Sequence, residues 1–180
     1  MKKFLIFIWE IIKIVIIALL IVLPIRYFLF QPFIVSGQSM KPNFEPGDYL
    51  IIDELSFRLR EPKRGEVVVF RFPRNPSQRY IKRIIGLPGE EVGIEGGMVK
   101  INGEFLDETS YLPLGIETRG VVHLKLSEDE YFVLGDNREA SSDSRYWGAL
   151  PKKNIVGRVF LRAWPLTAFA KFEAPHYENL

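Results

Sequence analysis

The chain has 180 residues, 47% hydrophobic and 26% charged, with a formal net charge of +2. Residues 1–30 hold four basic and one acidic residue, which leaves net −1 for residues 31–180; a nucleic-acid binder carries a strong basic excess in its folded part, so that class is set aside. There are no cysteines, which excludes disulfides, thiolate metal sites and a cysteine nucleophile, and His123 and His176 stand too far apart to suggest a histidine-rich metal site.

The first element is apolar. Phe4 to Ile25 are 22 residues, interrupted only by Glu10 and Lys13. As a helix they run about 33 Å, enough to cross a bilayer. Glu10 and Lys13, three apart, can face one another or lie at the cytoplasmic interface. Pro24 and Arg26 mark the far end. The apolar core exceeds the roughly 7–15 residues of a cleaved signal peptide, and no small-x-small site follows it. The sequence therefore predicts a retained anchor, residues 1–30, and one folded region, residues 31–180. Lys2 and Lys3 precede the span, which keeps the N-terminus cytoplasmic and places the remainder outside the cytoplasm.

Beyond the anchor, Ser36-Gly37-Gln38-Ser39-Met40-Lys41-Pro42 forms a loop of small residues with a stiff exit. β-branched and aromatic runs bounded by Gly and Pro then predict strands over Tyr49–Ile52, Val67–Phe72 and Tyr80–Ile85. Residues 91–131 read as an insert of hairpins. Gly96-Gly97 and Asn102-Gly103 are its turns, and the second is a strong two-residue signal. Tyr131–Leu134 and Ile155–Leu161 supply later core strands. The expected fold is mainly β, after one N-terminal transmembrane helix.

A hydroxyl is a poor nucleophile until a base takes its proton. His123 lies in the alternating run Val121–Leu126 and reads as one position of a hairpin strand. His176 lies in a polar tail. A Ser-His-Asp arrangement is therefore unsupported. Lys82 is the alternative base. Strand alternation puts it on the face of Tyr80 and Ile84, opposite Ile81 and Arg83. Burial there disfavours the ammonium. A fall of about 3 units from the ordinary lysine value makes a usable base, at a cost of about 4 kcal/mol. Read alone, Lys82 is equally a snorkelling strand lysine. Ser39 alone is turn chemistry, and Gly135-Asp136-Asn137 alone is a tight turn. Asp143 and Arg145 alone are a surface ion pair. All of them in one chain and in this order point to a serine hydrolase with a lysine base, working at a membrane surface.

The combination resembles the bacterial type I signal peptidases, membrane-anchored Ser-Lys endopeptidases. The resemblance spans nearly the whole chain: the anchor, Ser39-Met40-Lys41-Pro42, Arg64-Gly65-Glu66-Val67-Val68-Val69-Phe70, Lys82-Arg83-Ile84-Ile85-Gly86-Leu87-Pro88-Gly89, and the run 135–145. It implies a coiled, partly barrel-like β-sheet catalytic domain with a small hairpin insert. It implies Ser39 as nucleophile, Lys82 as general base and Ser141 as the hydroxyl that orients the lysine amine. Asp143 and Arg145 become a supporting ion pair, and Gly135 and Asp136 the turn that packs beside the lysine. The Ser39 backbone N–H is one oxyanion donor. Some members carry a serine two positions before the nucleophile, where this chain has Gly37. Ser36 is one residue too early, so the second donor stays open between a backbone N–H and the Ser36 hydroxyl. Glu139-Ala140 departs from the more frequent Asp-Asn pair. Met40 follows the nucleophile in the family without a clear physical role.

The implied reaction is removal of N-terminal signal peptides from exported preproteins at the outer face of the bacterial cytoplasmic membrane. Cleavage follows small residues at −1 and −3, with Ile34, Val35 and Ile84 as candidate pocket walls. No cofactor, metal or nucleic acid is expected; signal peptides and the lipid bilayer are the partners. Trp164, Phe169 and Phe172 are either interfacial aromatics or core residues. Three rivals remain: a Ser-Lys protease with one dedicated substrate, a tethered β domain that binds exported peptides without cutting them, and a self-cleaving repressor. The last needs a DNA-binding domain where the apolar span stands.

Overall fold

The computed structural model describes the backbone of residues 2–28, 30–175 and 177, and the side chains of these except 2, 5, 21–28 and 30. His176 and the side chains of Lys2, Pro24 and Arg26 lie outside the described residues. Helix α1 (Lys2–Phe28) covers the apolar stretch. Its described side chains are exposed, among them Ile14 and Leu20. Among the described residues no helix is long and apolar enough to cross a membrane. The unbroken run of described side chains, 6–20, is about 22 Å of helix against a hydrocarbon core of about 30 Å.

The strands follow in chain order: β1 (Phe30–Ile34), β2 (Tyr49–Asp53), β3 (Val67–Phe72), β4 (Asn75–Gly86), β5 (Glu91–Glu95), β6 (Met98–Ile101), β7 (Glu104–Phe105), β8 (Val122–Lys125), β9 (Glu130–Leu134), β10 (Leu150–Pro151), β11 (Ile155–Trp164) and β12 (Ala170–Lys171). Two one-turn helices interrupt them, α2 (Ser56–Leu59) and α3 (Ser144–Trp147). The large sheet runs β1-β2-β11-β3-β4-β9-β10, with β12 added to β11. The small sheet runs β7-β6-β5-β8. All the pairings are antiparallel.

The fold is mainly β, as composition and turn signals predict. Val67–Phe72 matches its expected bounds. The Asn102-Gly103 turn has φ of 52° and 90°, the doubly positive geometry that selects these residues. β4 is longer than its apolar run: it begins with the exposed stretch Asn75–Arg79, of which Asn75 and Arg79 pair with Phe72 and Arg71 of β3. β1 was not separable from the anchor's apolar run. It is an edge strand, which tolerates Pro32.

Three apolar clusters hold the sheets. One packs the small sheet against Ile85, Phe132 and Leu134. A second joins Val35, Met40 and Phe44 to β2, β3 and Ile81. The third lies under Val68, Phe70, Ile84 and Val133. Ile81 and Ile85 therefore pack away from Ile84, the alternation expected of β4.

Candidate active site

β4 carries the amine. Lys82 shares its face with Tyr80 and Ile84 and is 4% exposed. Its Nζ donates to Ser39 Oγ at 2.7 Å and to the Ile81 carbonyl at 2.8 Å. Burial lowers its pKa from the ordinary lysine value to about 8, against the pull of Asp143 and Asp136, which favour the ammonium.

The Ser39 loop is held from both ends. Val35 N–H donates to the Asp48 carbonyl, and Phe44 N–H to that of Met40, each at 2.9 Å. Met40 is 1% exposed in the cluster with Val35 and Phe44. That gives it a role the sequence did not disclose: it pins the residue after Ser39 into the core. The turn 135–137 grips the loop directly. Asn137 N–H donates to the Ser39 carbonyl at 3.0 Å, and its side chain to the Gln38 carbonyl at 3.2 Å.

Gly135 is where these segments meet. A Cβ there would strike the Ser141 hydroxyl and lie 2.5 Å from the Ser39 carbonyl oxygen, so only glycine fits. Asp143, fully buried, accepts from Gly135 N–H at 3.1 Å and pairs with Arg145 through both oxygens, at 2.8 and 2.9 Å. The pair is thus internal, unlike the surface reading of these residues taken alone. Asp136 pairs with Arg83 through two bonds, 2.8 and 2.6 Å, and accepts from Asn43 at 2.8 Å. Ser141 is 6% exposed, and among the described residues its hydroxyl has no hydrogen-bond partner. The amine's second bond goes to the Ile81 carbonyl instead. Gly37, φ 89°, is exposed, with open space around it.

A cleft of about 470 Å³ opens over the pair. It is lined by Phe33, Ser36, Ser39, Gln78, Arg79, Tyr80, Ile81, Lys82 and Ser142. The expected wall residues are elsewhere: Ile34 is 62% exposed, and Val35 and Ile84 are buried in separate clusters. Alternation along β1 puts Phe33, not its neighbours, on the cleft side. His123 sits exposed on β8, 2.9 Å from Glu91. Phe172 packs on Phe44, while Trp164 and Phe169 are exposed. Among the described residues no cluster of His, Asp and Glu is placed to hold a metal ion.

Sequence reasoning gave no role to four contributors. Arg83, Asn43 and Asn137 brace the turn, and so does Arg138, which donates to the Gly135 carbonyl and pairs with Glu108. Apart from Gly135, three positions from Arg138, the partners named lie 30 to 99 positions away, beyond local pattern.

Residues 8–164 match the family model described as signal peptidase, peptidase S26. The probable signal peptidase I-2 of Synechocystis is 42% identical over 159 residues, 86% of this chain and 72% of that protein. Signal peptidase I of Leptolyngbya laminosa is 37% identical, over 91% of this chain and 83% of the relative. Signal peptidase I of Bacillus caldolyticus is 34% identical, over 86% and 90%. A family match across most of the chain, with relatives of this similarity over 72 to 90% of their own length, places this enzyme in the signal peptidase family, peptidase S26, a family of serine proteases.

Proposed function

We propose that this chain is a membrane-anchored signal peptidase that removes N-terminal signal peptides from exported preproteins with Ser39 as nucleophile and Lys82 as general base. The observation that carries the reading is the 2.7 Å contact between Ser39 Oγ and a buried amine. With a pKa of about 8, roughly one amine in ten is neutral at pH 7, against well under one in a thousand for an ordinary lysine. The neutral amine accepts the Ser39 proton as Oγ attacks the scissile carbonyl. The ammonium then protonates the leaving amine. A water activated by the same nitrogen hydrolyses the acyl-enzyme.

The remaining groups hold this geometry. Asp143 and Arg145 fix Gly135, and Asp136 fixes the turn that grips the Ser39 carbonyl. Ser141 sits buried beside Gly135, where its hydroxyl can turn toward the amine in the working enzyme. The Ser39 N–H and the Gly37 segment form the oxyanion region. An extended substrate adds as a strand beside the open stretch of β4, since β9 pairs only from Arg83 onward. Phe33 and Tyr80 then meet its small side chains. Helix α1 is the anchor: its exposed apolar surface and Lys3 in its first turn support a single span with a cytoplasmic N-terminus. The catalytic region then lies outside, within reach of emerging cleavage sites.

The test is Ser39→Ala and Lys82→Met, assayed on one preprotein in detergent. Both are expected to fall to background; cutting retained by either variant sinks the pair. A tethered peptide-binding domain predicts wild-type behaviour from both.

A further inference from the structure

At one end of the large sheet lies a set of cations without counter-charges. β1 begins two residues after α1 ends, so Gln31 lies within about 10 Å of the helix end by chain length alone. Gln31 accepts a hydrogen bond from Arg79 at 3.2 Å. Arg79 stands directly opposite Arg71 across β3 and β4. Like charges at opposite positions destabilise a strand pair. Arg74, on the connection between those strands, reaches the Tyr146 carbonyl, and Tyr146 is 68% exposed. Arg71 also lines a recess of about 290 Å³ with Arg58 and Lys153.

Arg58, Arg71, Arg74, Arg79 and Lys153 are all exposed, and among the described residues none of them is in an ion pair. Elsewhere, half-buried Lys100 and Lys152 and exposed Lys171 sit against carboxylates, and the exposed cations without an ion pair among the described residues, such as Lys63 and Lys125, are not gathered in one recess. Glu54 is the single carboxylate in the recess, against three cations. The hairpin that displays Arg71 and Arg79 is stiff: Phe72 stacks on Tyr80 at 4.7 Å and meets Trp147 edge-on at 5.8 Å.

We propose that this face docks on anionic phospholipid headgroups and so sets the depth and tilt of the active-site cleft against the membrane. The proposal rests on the reading of α1 as an anchor. Connectivity then fixes Gln31 and Arg79 at headgroup depth, and each cation near an anionic surface is attracted to it. Exposed Tyr146 beside arginines matches the composition of an interfacial belt. An acidic segment of the substrate is the other chemistry that suits cations. It reaches Arg79, which lines the cleft, but the recess of Arg58, Arg71 and Lys153 shares no residue with the cleft.

The experiment uses the full chain in vesicles of phosphatidylcholine alone and of equal parts phosphatidylcholine and phosphatidylglycerol. The substrate is a preprotein without acidic residues near its cut. Wild type is expected to cleave at least about fivefold faster in the anionic vesicles. The variant Arg58→Gln/Arg71→Gln/Lys153→Gln is expected to lose that gain yet match wild type in detergent. High salt should erase the gain for wild type. Equal rates of wild type in the two vesicles, or an undiminished gain in the variant, overturns the proposal. So does a variant that is slow only on acidic substrates, which assigns the cations to the peptide. Alkaline extraction reads the anchor separately: a chain washed from the vesicles refutes the anchor itself, whatever the lipid response.

Discussion

Lys82 and Arg83 are neighbours on β4, are 4% and 6% exposed, and face opposite sides of the sheet. Toward Ser39, the amine meets a hydroxyl and a carbonyl but no carboxylate within hydrogen-bond range. Its pKa falls to about 8. Toward Asp136, burial alone would also lower the Arg83 guanidinium, but the bidentate carboxylate outweighs it and the pKa rises. The Tyr111 ring, 4.2 Å from the guanidinium carbon, adds to that side. One strand thus holds a cation that can be discharged beside one that cannot. The difference lies in what each face presents, since burial is nearly equal. Asp143 and Asp136 are the nearby carboxylates that could recharge Lys82, and each is already engaged by an arginine.

The comparison breaks most sharply by exchanging the chemistry. Lys82→Arg puts a group that stays protonated opposite Ser39. Proteolysis should drop at least about a thousandfold, the order of a lost general base. Arg83→Lys keeps a charge beside Asp136 but loses the fork, so activity should stay within about tenfold while stability falls by about 1–2 kcal/mol. Steady-state cleavage and urea melts of both variants measure this. Equal losses of activity would mean that the two faces are not distinct. Gly135→Ala comes next. The added methyl collides with Ser141 and the Ser39 carbonyl, and on the proposed mechanism a displacement approaching 1 Å at Ser39 costs about a hundredfold. A fully active, folded alanine variant would show that the turn does not set the position of Ser39.

Much of the Lys82 face was legible, because its cause is local. Alternation on a strand of β-branched residues fixes which side the amine takes, and its apolar neighbours imply burial. The Arg83 face was not. Asp136 is 53 positions away in a turn of common composition, and nothing in either segment encodes the match. Glu108 and Arg138, joined across 30 positions, are the same case. Met40 was unexplained because its partners, Val35 and Phe44, are brought together only by the loop's own fold. The small sheet was readable from Gly96-Gly97 and Asn102-Gly103, where turn chemistry is specific. α3 was missed because its signal is a single side-chain cap by Asp143.

A buried amine without a counter-charge should weaken the fold it serves. The shift from 10.5 to about 8 means that between those values the unfolded chain binds more protons than the native one. On this account stability rises with pH across that window and is lowest below about pH 8, where the native amine must also be charged. Lys82→Met removes the penalty, so the inactive variant should be more stable than wild type by about 2 kcal/mol at pH 7, with the gap closing toward pH 10.5. Denaturant melts at several pH values test it, and a variant less stable at pH 7 contradicts the uncharged-amine account.

The smallest effect sharpens the comparison furthest. In wild type the acid limb of kcat/KM should lie near pH 8, activity rising as Lys82 loses its proton. Arg145→Gln frees Asp143, whose charge favours the ammonium. The limb should then move to higher pH by up to about one unit, while Lys152→Gln, at an exposed pair remote in sequence, should leave it in place. A limb that stays in place or moves down in Arg145→Gln would mean that uncovering Asp143 does not favour the ammonium, since loss of a nearby positive charge can by itself only raise the lysine pKa. The lowered pKa would then rest on exclusion of water alone, with no contribution from the carboxylates, and the contrast with Arg83 would have to be redrawn on that basis.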